Sequence, residues 1–279
     1  MRRGSLAQTP RGKLPYPGSI IASSYTSPLD VLYFAAIFDP IFTQSFRNSR
    51  SVLPISQETA LANCFNVANP LEIGVEHRTT DLETLLKQNP GRIIVVFPET
   101  TTSNGRGILK LSPSLLSAAP TTPIFPVSLR YTPADVVTPI PGWKEAFQFI
   151  WRLNSRQTHC IRVRIGKATT LQGAKSAPPL DTPTKSSTSP SPGAKPRPSR
   201  GGSFESNFFD TLQSSPVQKV AGTGSETDEE AELSEPERRA LDAVADDLAR
   251  LGRVKRVGLG VEEKEKFVAA WAKAAGSRK

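Results

Sequence analysis

The chain has 279 residues, of which 37% are apolar and 22% are charged, so it can form one domain of moderate size with extensions. Its 25 prolines are too many for a single compact domain. The formal net charge of +9 favours anionic partners such as phospholipid surfaces, phosphorylated substrates or nucleic acid, without choosing among them. Cys64 and Cys160 lie far apart without metal-ligand spacing, which argues against a disulfide framework and indicates a reducing compartment.

The amino-terminal stretch is basic and polar. Residues 1–13 contain three arginines and Lys13 but no apolar core, so they do not form a signal peptide, and we expect them to be disordered. No uninterrupted apolar run reaches the roughly 20 residues that a membrane-spanning helix needs. We therefore expect the chain as given not to cross a membrane.

The first regular elements predicted are a short strand and a helix. Ile20 and Ile21 indicate the strand, and the helix is expected to begin at Pro28 and to end near residue 38. Ser27 is typical of an N-cap, Pro28 of a first helical position, and Asp30 of the acidic partner in a capping box. The simplest interpretation of Asp30 is therefore structural.

The most informative stretch begins with the apolar run IIVVF at 93–97. Such a run, rich in β-branched side chains, is typical of a strand buried on both faces of a mostly parallel sheet. The residues that follow are Pro98, Glu99, Thr100, Thr101, Thr102, Ser103, Asn104, Gly105 and Arg106. Ligands of open α/β sheets bind at the carboxyl ends of strands. One carboxylate, several hydroxyl groups and one guanidinium at this place suit a polyol that bears a phosphate.

The stretch from Phe97 to Arg106 resembles the Phe-Pro-Glu-Gly-Thr box, often extended by Ser-Asn-Gly-Arg, of the glycerolipid acyltransferases related to bacterial PlsC. The chain is similar to the fungal lysophosphatidic acid acyltransferase-like branch of that superfamily. In the family this box holds the glycerol phosphate of the acceptor. The resemblance implies substrate binding by Pro98, Glu99, Thr101, Thr102, Asn104, Gly105 and Arg106. Thr100 occupies the usual glycine position, so we expect a differently shaped loop. The alternative is an ordinary buried strand followed by a polar turn.

The same family carries a His-x-x-x-x-Asp box, in which the histidine is the general base toward the acceptor hydroxyl and the aspartate orients it. Alignment on Asp30 puts Tyr25 at the histidine position. A phenol with an ordinary pKa of about 10 is protonated near neutral pH and rarely accepts a proton. The resemblance thus implies Asp30 and Tyr25 as the catalytic positions. It predicts either weak acyl transfer or a protein that keeps the pocket without the chemistry.

Other candidates for the base and for phosphate binding are weaker. His77 precedes Asp81 by four residues, one short of the family spacing, and His159 begins a later strand. An ordinary surface or boundary position is the simpler interpretation of each histidine. Relatives also carry a second box that ends in a phosphate-binding arginine, and Arg78 is the nearest candidate. A solvated arginine is the alternative.

Three stretches near the box have recognisable patterns. Residues 81–87 (DLETLLK) predict a helix with one leucine-rich face, and Ser112 can cap a short helix that begins at Pro113. Residues 123–127 (PIFPV) lead into SLRY and resemble the fourth family box, which lines the acyl and acceptor pocket. Because proline usually marks the edge of a sheet, an edge strand without a ligand is the alternative.

Residues 142–153 predict an amphipathic helix with Trp143, Phe147, Ile150 and Trp151 on one face. Core packing is the favoured interpretation, and docking of the indoles at a lipid interface is the alternative. A half-buried strand with a basic outer face follows at 159–171. Its arginines are expected to be solvated, although they would also suit an anionic membrane surface.

The carboxyl-terminal part changes composition twice. From about residue 172 to 227 the chain is rich in Pro, Ser, Thr, Gly and Lys, which predicts a disordered linker with Ser-Pro pairs as candidate phosphorylation sites. Ser234 and Glu237 then form a capping box, and a second helix is expected at 261–275. We expect both helices to pack on the sheet domain. A membrane-surface hairpin is the alternative.

Together these features predict an α/β protein with a glycerol-3-phosphate acyltransferase-like, mixed and mostly parallel sheet flanked by helices, plus a disordered linker and a C-terminal helix pair. The expected organisation is a basic N terminus (1–13), an acyltransferase-like domain (14–171), the linker (172–233) and the helix pair (234–276).

The resemblance implies transfer of a fatty acyl group from acyl-coenzyme A to a lysophospholipid, with lysophosphatidate as the favoured acceptor and no metal or other cofactor. It also implies peripheral contact with an anionic membrane, on the cytosolic face of the endoplasmic reticulum or on lipid droplets. A non-catalytic lipid-binding or trafficking protein is the first rival, supported by the absent histidine. A nucleic-acid binder is the second, but the most basic segment, Lys185–Arg200, has no aromatic residues.

Overall fold

The structure is a computed structural model that describes residues 13–66, 78–176 and 233–276. Several predictions fall outside the described residues: the order of the first twelve residues, the position of His77, and the linker with its Ser-Pro pairs and acidic cluster. The described residues all belong to one compact unit.

A six-stranded mixed sheet forms the centre of this unit. The described strands are β1 (Ile20–Ser23), β2 (Ile41–Ser45), β3 (Val52–Ile55), β4 (Ile94–Val96), β5 (Gly107–Ile108), β6 (Ile124–Thr132), β7 (Cys160–Ile165) and β8 (Lys255–Arg256). The large sheet has the order β3-β2-β4-β1-β6-β7. Its four inner strands are parallel, and β3 and β7 are antiparallel edges. The predicted fold class, an α/β protein with a mostly parallel mixed sheet, is confirmed.

Helices cover both faces of the sheet. They are α1 (Pro28–Phe38), α2 (Gln57–Asn63), α3 (Leu82–Gln88), α4 (Trp143–Asn154), α5 (Leu171–Ser176), α6 (Glu235–Gly252) and α7 (Val261–Gly276), with two short 3₁₀ turns at Pro113–Ser117 and Ala134–Val136. In β1, Ile20 and Ala22 pack toward α3, α5 and α6, whereas Ile21 packs toward α1, α2 and α4. This alternation follows from the two-residue period of a strand, and it explains why the inner strands are apolar throughout.

Helix α1 begins as the sequence predicts. Ser27 is the N-cap, its hydroxyl accepts a hydrogen bond from the backbone N–H of Leu29, and Asp30 completes the capping box. Pro28 is the first helical residue, and the helix ends at Phe38 before Asp39, which has a left-handed conformation. The predicted α1 and its capping box are therefore confirmed.

The segments after the box differ from the sequence interpretation in two details. The short helix predicted to begin at Pro113 is present as a 3₁₀ helix with Ser112 at the N-cap position, but the Ser112 side chain makes no capping hydrogen bond. The strand that contains Pro126 is not an edge strand, because β6 pairs with β1 on one side and β7 on the other. Pro126 lies just before the first residue pair of the β6–β7 ladder, Val127 with Ile165, and its carbonyl accepts a hydrogen bond from Gly166 N–H.

The prediction that the aromatic face of α4 packs in the core is wrong. The exposed fractions of Trp143, Phe147, Ile150 and Trp151 are 76%, 65%, 55% and 69%. The helix is instead anchored through Phe149, whose ring lies 5.9 Å from that of Phe65. The face with the largest aromatic side chains therefore points to solvent.

Of the two carboxyl-terminal helices, α6 packs on the sheet as expected, whereas α7 contacts the loop after β4 through Lys264 and adds no residue to the described core. Helix α6 buries Leu241, Val244 and Leu248 in the core on one face of the sheet. Arg130 of β6 donates to the carbonyl of Gly252 at 2.8 Å, and Arg164 of β7 donates to that of Leu251 at 2.6 Å. These arginines satisfy carbonyl groups at the end of α6. The prediction that the basic face of β7 is simply solvated is therefore wrong for Arg164.

Two further features concern the helices. Helix α5 includes the first residues of the predicted linker, since it runs to Ser176. Across the described parts of the chain, none of the helices combines the length and apolarity needed to span a membrane.

Candidate functional site

The box lies at the carboxyl end of β4, directly beside the loop that follows β1. The backbone N–H of Ser103 donates to the carbonyl of Tyr25 at 2.8 Å, which joins the two loops. Because β1 and β4 are parallel neighbours, the loop that carries Asp30 and the loop that carries Glu99 leave the sheet at the same edge. The fold thus brings together the stretch that resembles the His-x-x-x-x-Asp box and the stretch that resembles the Phe-Pro-Glu-Gly-Thr box.

Thr100 has a backbone conformation that usually belongs to glycine. Its φ angle is +57°, in the left-handed region, as is the φ angle of +67° at Gly105. A threonine in this region is strained by on the order of 1–2 kcal/mol because its Cβ approaches the following carbonyl. Thr100 thus adopts the left-handed conformation that a glycine would take readily at this position.

Asp30 is fully buried and accepts hydrogen bonds at both carboxylate oxygens. Its Oδ2 accepts from the backbone N–H groups of Thr26 and Ser27 at 2.7 and 2.9 Å and from the Thr26 hydroxyl at 3.0 Å, and its Oδ1 accepts from Tyr131. Burial raises the pKa of Asp30 to about 6, although the hydrogen bonds oppose that shift. Asp30 therefore organises the loop after β1 as well as capping α1.

Tyr25 is buried and its phenol is already committed to protein partners. The ring stacks on Phe97 with centroids 4.2 Å apart, and the hydroxyl donates to the carbonyl of Ala60. Cys64 donates to the same hydroxyl, with Sγ 3.1 Å from the phenol oxygen. Burial, and then the neighbouring Cys64, raise the pKa of Tyr25 above its ordinary value. This geometry favours a structural role and leaves the phenol unsuited to accept a proton.

Cys64 is an inert thiol in this setting. Burial raises its pKa to about 12, with a smaller contribution from Asp30, so the thiolate is not available near neutral pH. Its neighbours and its position at the end of α2 make it part of the packing around Tyr25.

Glu99 is the buried carboxyl of the box. It is 1% exposed, and its Oε2 accepts only a long hydrogen bond, 3.4 Å, from the backbone N–H of Leu109. Its Oε1 has no hydrogen-bond partner among the described residues. Burial, with a smaller contribution from Asp30, raises the pKa of Glu99 to about 8, and the hydrogen bond from Leu109 and the charge of Lys264 oppose the shift. At pH 7 Glu99 is therefore mostly protonated, and it can donate a hydrogen bond to a ligand or accept one from it.

Lys264 is a site residue that the sequence interpretation missed. It comes from α7, is 9% exposed, and donates to the hydroxyls of Thr101 and Thr102 at 2.8 Å each and to the Thr102 carbonyl at 2.7 Å. Burial lowers its pKa to about 8. One signal could have found it: Lys264 lies three and seven residues before Phe267 and Trp271, on the face of the helix that carries its aromatic side chains.

Asn104 and Arg106 lie at the exposed rim of the box. The Asn104 side chain accepts a hydrogen bond from the backbone N–H of Arg106 at 3.0 Å, and Gly105 N–H donates to Ser103 at 3.3 Å. The polar turn therefore closes on itself. Arg106 is exposed and can therefore meet a ligand from the solvent side.

Arg78 is exposed and lies on the far flank of the same edge. It precedes Thr80, which exchanges backbone hydrogen bonds with Val52 at the start of β3. Since β3 is antiparallel to β2, that end of β3 belongs to the edge where the parallel strands end. His159 lies elsewhere, with its Nε2 3.0 Å from the carbonyl of Leu153 in the turn between α4 and β7.

The donor groups in the buried part of the site suit an oxygen-rich, anionic ligand. They are the hydroxyls of Thr101 and Thr102 and the protonated form of Glu99, and the positive charge of Lys264 lies beside them with its three N–H groups bonded to the two threonines. In the described part of the chain, no three His, Cys, Asp or Glu residues are grouped so that they could hold a metal ion.

Comparison with known proteins gives a partial match. The chain is 32% identical over 131 residues to a protein of Schizosaccharomyces pombe named "Putative lysophosphatidic acid:oleoyl-CoA acyltransferase". This similarity supports an acyltransferase family. The matched region covers 45% of the chain and 42% of that relative, so the chain matches less than half of the relative's length. No protein-family model and no solved structure match the chain.

Proposed function

We propose that the protein transfers a fatty acyl group from acyl-coenzyme A to the free hydroxyl of a lysophospholipid, with lysophosphatidate as the acceptor. The observation that carries the proposal is the placement of a buried carboxyl, Glu99, and two threonine hydroxyls at the carboxyl end of β4, beside Asp30. These groups can surround a phosphorylated glycerol. The similarity to the S. pombe relative supports the same reaction class.

The reaction needs a proton acceptor. The acceptor hydroxyl attacks the thioester carbonyl carbon, the carbon–sulfur bond breaks, and the hydroxyl proton ends on the thiol of coenzyme A. Because the phenol of Tyr25 is held as a hydrogen-bond donor, we assign the transient proton to Oε1 of Glu99, which has no partner among the described residues. With a pKa of about 8, the carboxylate that acts as the base is the minor form of Glu99 at pH 7, and it becomes the major form above pH 8. Asp30 would hold the loop around it, and Arg106 would meet the phosphate from the rim.

Acyl transfer by the purified protein tests this proposal. Radiolabelled acyl-coenzyme A is supplied with lysophospholipids of different headgroups, and the expected product with lysophosphatidate is phosphatidate. Glu99→Gln is expected to lower kcat by about a hundredfold or more, the usual contribution of a general base. Glu265→Gln, an exposed glutamate of α7, is the matched control and should leave kcat unchanged. Absence of transfer to every acceptor would refute the enzyme assignment.

A lipid-binding protein with the same pocket is the second candidate, and the geometry of Tyr25 favours it. The position that carries histidine in the family holds a buried phenol that donates to Ala60. On this candidate the wild type binds lysophosphatidate without converting it, and Tyr25→His introduces measurable transfer. If the wild type is already fast and Tyr25→His adds nothing, the lipid-binding candidate is rejected.

We also propose that the protein docks peripherally on an anionic membrane through α4, on the cytosolic face of the endoplasmic reticulum or on lipid droplets. The exposed face of Trp143, Phe147, Ile150 and Trp151 supports this, since indole rings are favoured at the membrane interface. Helix α4 begins near the site, because Gly142 N–H donates to the carbonyl of Phe65 at 2.7 Å, and the adjacent carbonyl of Cys64 accepts from Thr102 of the box. Docking there would bring the lysolipid to the box.

Flotation with liposomes tests the docking proposal. The full chain is expected to float with vesicles that contain anionic lipid, and replacement of Trp143 and Trp151 by serine should leave most of it in the soluble fraction. Tyr16→Ser removes an aromatic side chain that is 46% exposed at the opposite edge of the sheet, and it should not affect flotation. Equal flotation of all three proteins would contradict docking through α4. Fluorescent tagging in cells then tests the membrane assignment.

A further inference from the structure

The segment that delivers Lys264 to the box is held on both sides. Before it, β8 pairs in parallel with β5, and the pairing continues through hydrogen bonds from Val257 N–H to the Ile108 carbonyl and from Lys110 N–H to the Leu259 carbonyl. At the start of α7, Glu262 forms an ion pair with Arg47 in the loop after β2. The chain immediately after the box is thus tied to the chain immediately before Lys264.

The buried charge of Lys264 lacks a counter-ion within the described residues, where no carboxylate oxygen lies within 4.0 Å of its ammonium. Two acidic neighbours in α7 are engaged elsewhere, Glu262 with Arg47 and Glu263 with the backbone N–H of Gly260. Glu99 is mostly neutral at pH 7 because burial raises its pKa to about 8. A buried ammonium is costly unless it is paired, so the site has an electrostatic preference for an anion.

Lys264 also sets the direction of the threonine hydroxyls. An ammonium can only donate, so its bonds to Thr101 and Thr102 occupy acceptor positions on both hydroxyl oxygens. The hydroxyl hydrogen of Thr101 has no acceptor among the described residues. That of Thr102 points to the carbonyl of Cys64 at a long distance of 3.4 Å. The Thr101 hydroxyl is therefore available as a donor to a ligand oxygen, and the Thr102 hydroxyl would exchange its long bond to Cys64 for one to the ligand.

We propose that Lys264 is a positioning residue that commits this site to a phosphate-bearing acceptor. It acts through Thr101 and Thr102, whose hydroxyl hydrogens it leaves for the ligand, and through its own positive charge. The role rests on the proposed function in that it specifies the headgroup of the same acceptor. It also makes the carboxyl-terminal segment a part of the site rather than an appendage of the sheet.

Binding and kinetics with two matched ligands test the proposal. Lysophosphatidate and the monoacylglycerol with the same acyl chain differ only in the phosphate, and both are measured with the full chain below their aggregation concentrations. Dissociation constants come from equilibrium dialysis, and kcat and KM come from acyl transfer. The variants are Lys264→Met, which removes the charge and the donors, and Lys264→Arg, which keeps both. Lys266→Met removes an exposed lysine of the same helix and is the matched control.

We expect the wild type and Lys266→Met to bind lysophosphatidate much more tightly than monoacylglycerol. Lys264→Met should weaken the binding of lysophosphatidate, and raise its KM, by about tenfold to a hundredfold, the usual worth of a hydrogen bond to a charged group. Its binding of monoacylglycerol should change less than threefold. Lys264→Arg should restore at least part of the discrimination.

A purely structural role predicts a different pattern. If Lys264→Met weakens both ligands equally, or if the wild type does not discriminate between them, the proposal is overturned. Should Lys264→Met fail to fold, Thr101→Val takes its place, since it removes one outward donor and leaves Lys264 present; unchanged discrimination in that variant would overturn the proposal as well. Selective binding without acyl transfer would support the role of Lys264 and reject the enzyme assignment, so the two failures are distinguishable.

Discussion

Replacement of Glu99 by glutamine should make the protein more stable, and the gain should grow with pH. The folded chain holds the Glu99 proton more tightly than an unfolded chain does, because burial raises the pKa from the ordinary 4.5 to about 8. Stability linked to this proton is fully present below pH 4.5 and is lost as the pH rises toward 8. The full difference corresponds to about 5 kcal/mol, and about half of it should be lost near pH 6. Glutamine has nearly the same shape and does not ionise.

Urea denaturation at pH 4.5, 6 and 8 measures this effect. The difference in free energy of unfolding between Glu99→Gln and the wild type should be near zero at pH 4.5 and reach about 4–5 kcal/mol at pH 8. Asp30, whose pKa burial raises to about 6, titrates in both proteins, so its contribution largely cancels. The series stops at pH 8, since the lowered pKa of Lys264 lies there. A difference that does not change with pH would refute the assignment of a buried, proton-retaining Glu99.

Three other substitutions test local features. Thr100→Gly should raise the free energy of unfolding by up to about 1 kcal/mol, because it relieves the strain of a threonine in the left-handed conformation. Thr121→Gly, in an exposed turn without a positive φ, should lower it. Equal effects of the two substitutions in thermal denaturation would contradict the strain at Thr100. Tyr25→Phe should lower the free energy of unfolding by about 1–3 kcal/mol, because it removes the hydroxyl that donates to the carbonyl of Ala60. Acyl transfer per folded molecule should stay unchanged. A large loss of transfer at constant stability would instead give the phenol a chemical role. Arg164→Met should lower the free energy of unfolding in urea by about 1 kcal/mol, because it removes the hydrogen bond to the carbonyl of Leu251 at the end of α6. Arg162→Met, at an exposed position, should lower it little. Similar values for both variants would show that Arg164 does not stabilise the end of α6.

Local signals in the sequence were enough for several elements. The capping residues Ser27, Pro28 and Asp30 lie within four positions of one another, so the start of α1 could be predicted from short-range hydrogen bonding alone. The β-branched run before the box predicted a strand covered on both faces, and the parallel sheet then placed the residues after β1 and β4 at one edge. The juxtaposition of Asp30 and Glu99 follows from this topology.

Features that depend on distant contacts could not be predicted in the same way. The periodicity of α4 correctly gave a helix with an aromatic face, but periodicity does not say whether that face meets a core. The core on that side of the sheet is already filled by α1, α2 and Phe149, so the stripe of Trp143 and Trp151 points outward. Thr100 is a similar case, because a φ of +57° reflects the fixed ends of the loop rather than the residue's own preference.

The predicted end of the acyltransferase-like domain at residue 171 leaves out later residues that belong to the site and to the core. A chain cut there would contain the box at residues 97–106 and still lack the helix that orders its threonines, since Lys264 bonds to Thr101 and Thr102 from more than 160 residues away in sequence. It would also lack α6, whose Leu241 and Leu248 fill one face of the sheet. A short motif therefore does not specify all of its surroundings. Helix α7 lies outside the family boxes, yet its Lys264 orients the threonine hydroxyls of the box and supplies the positive charge of the site.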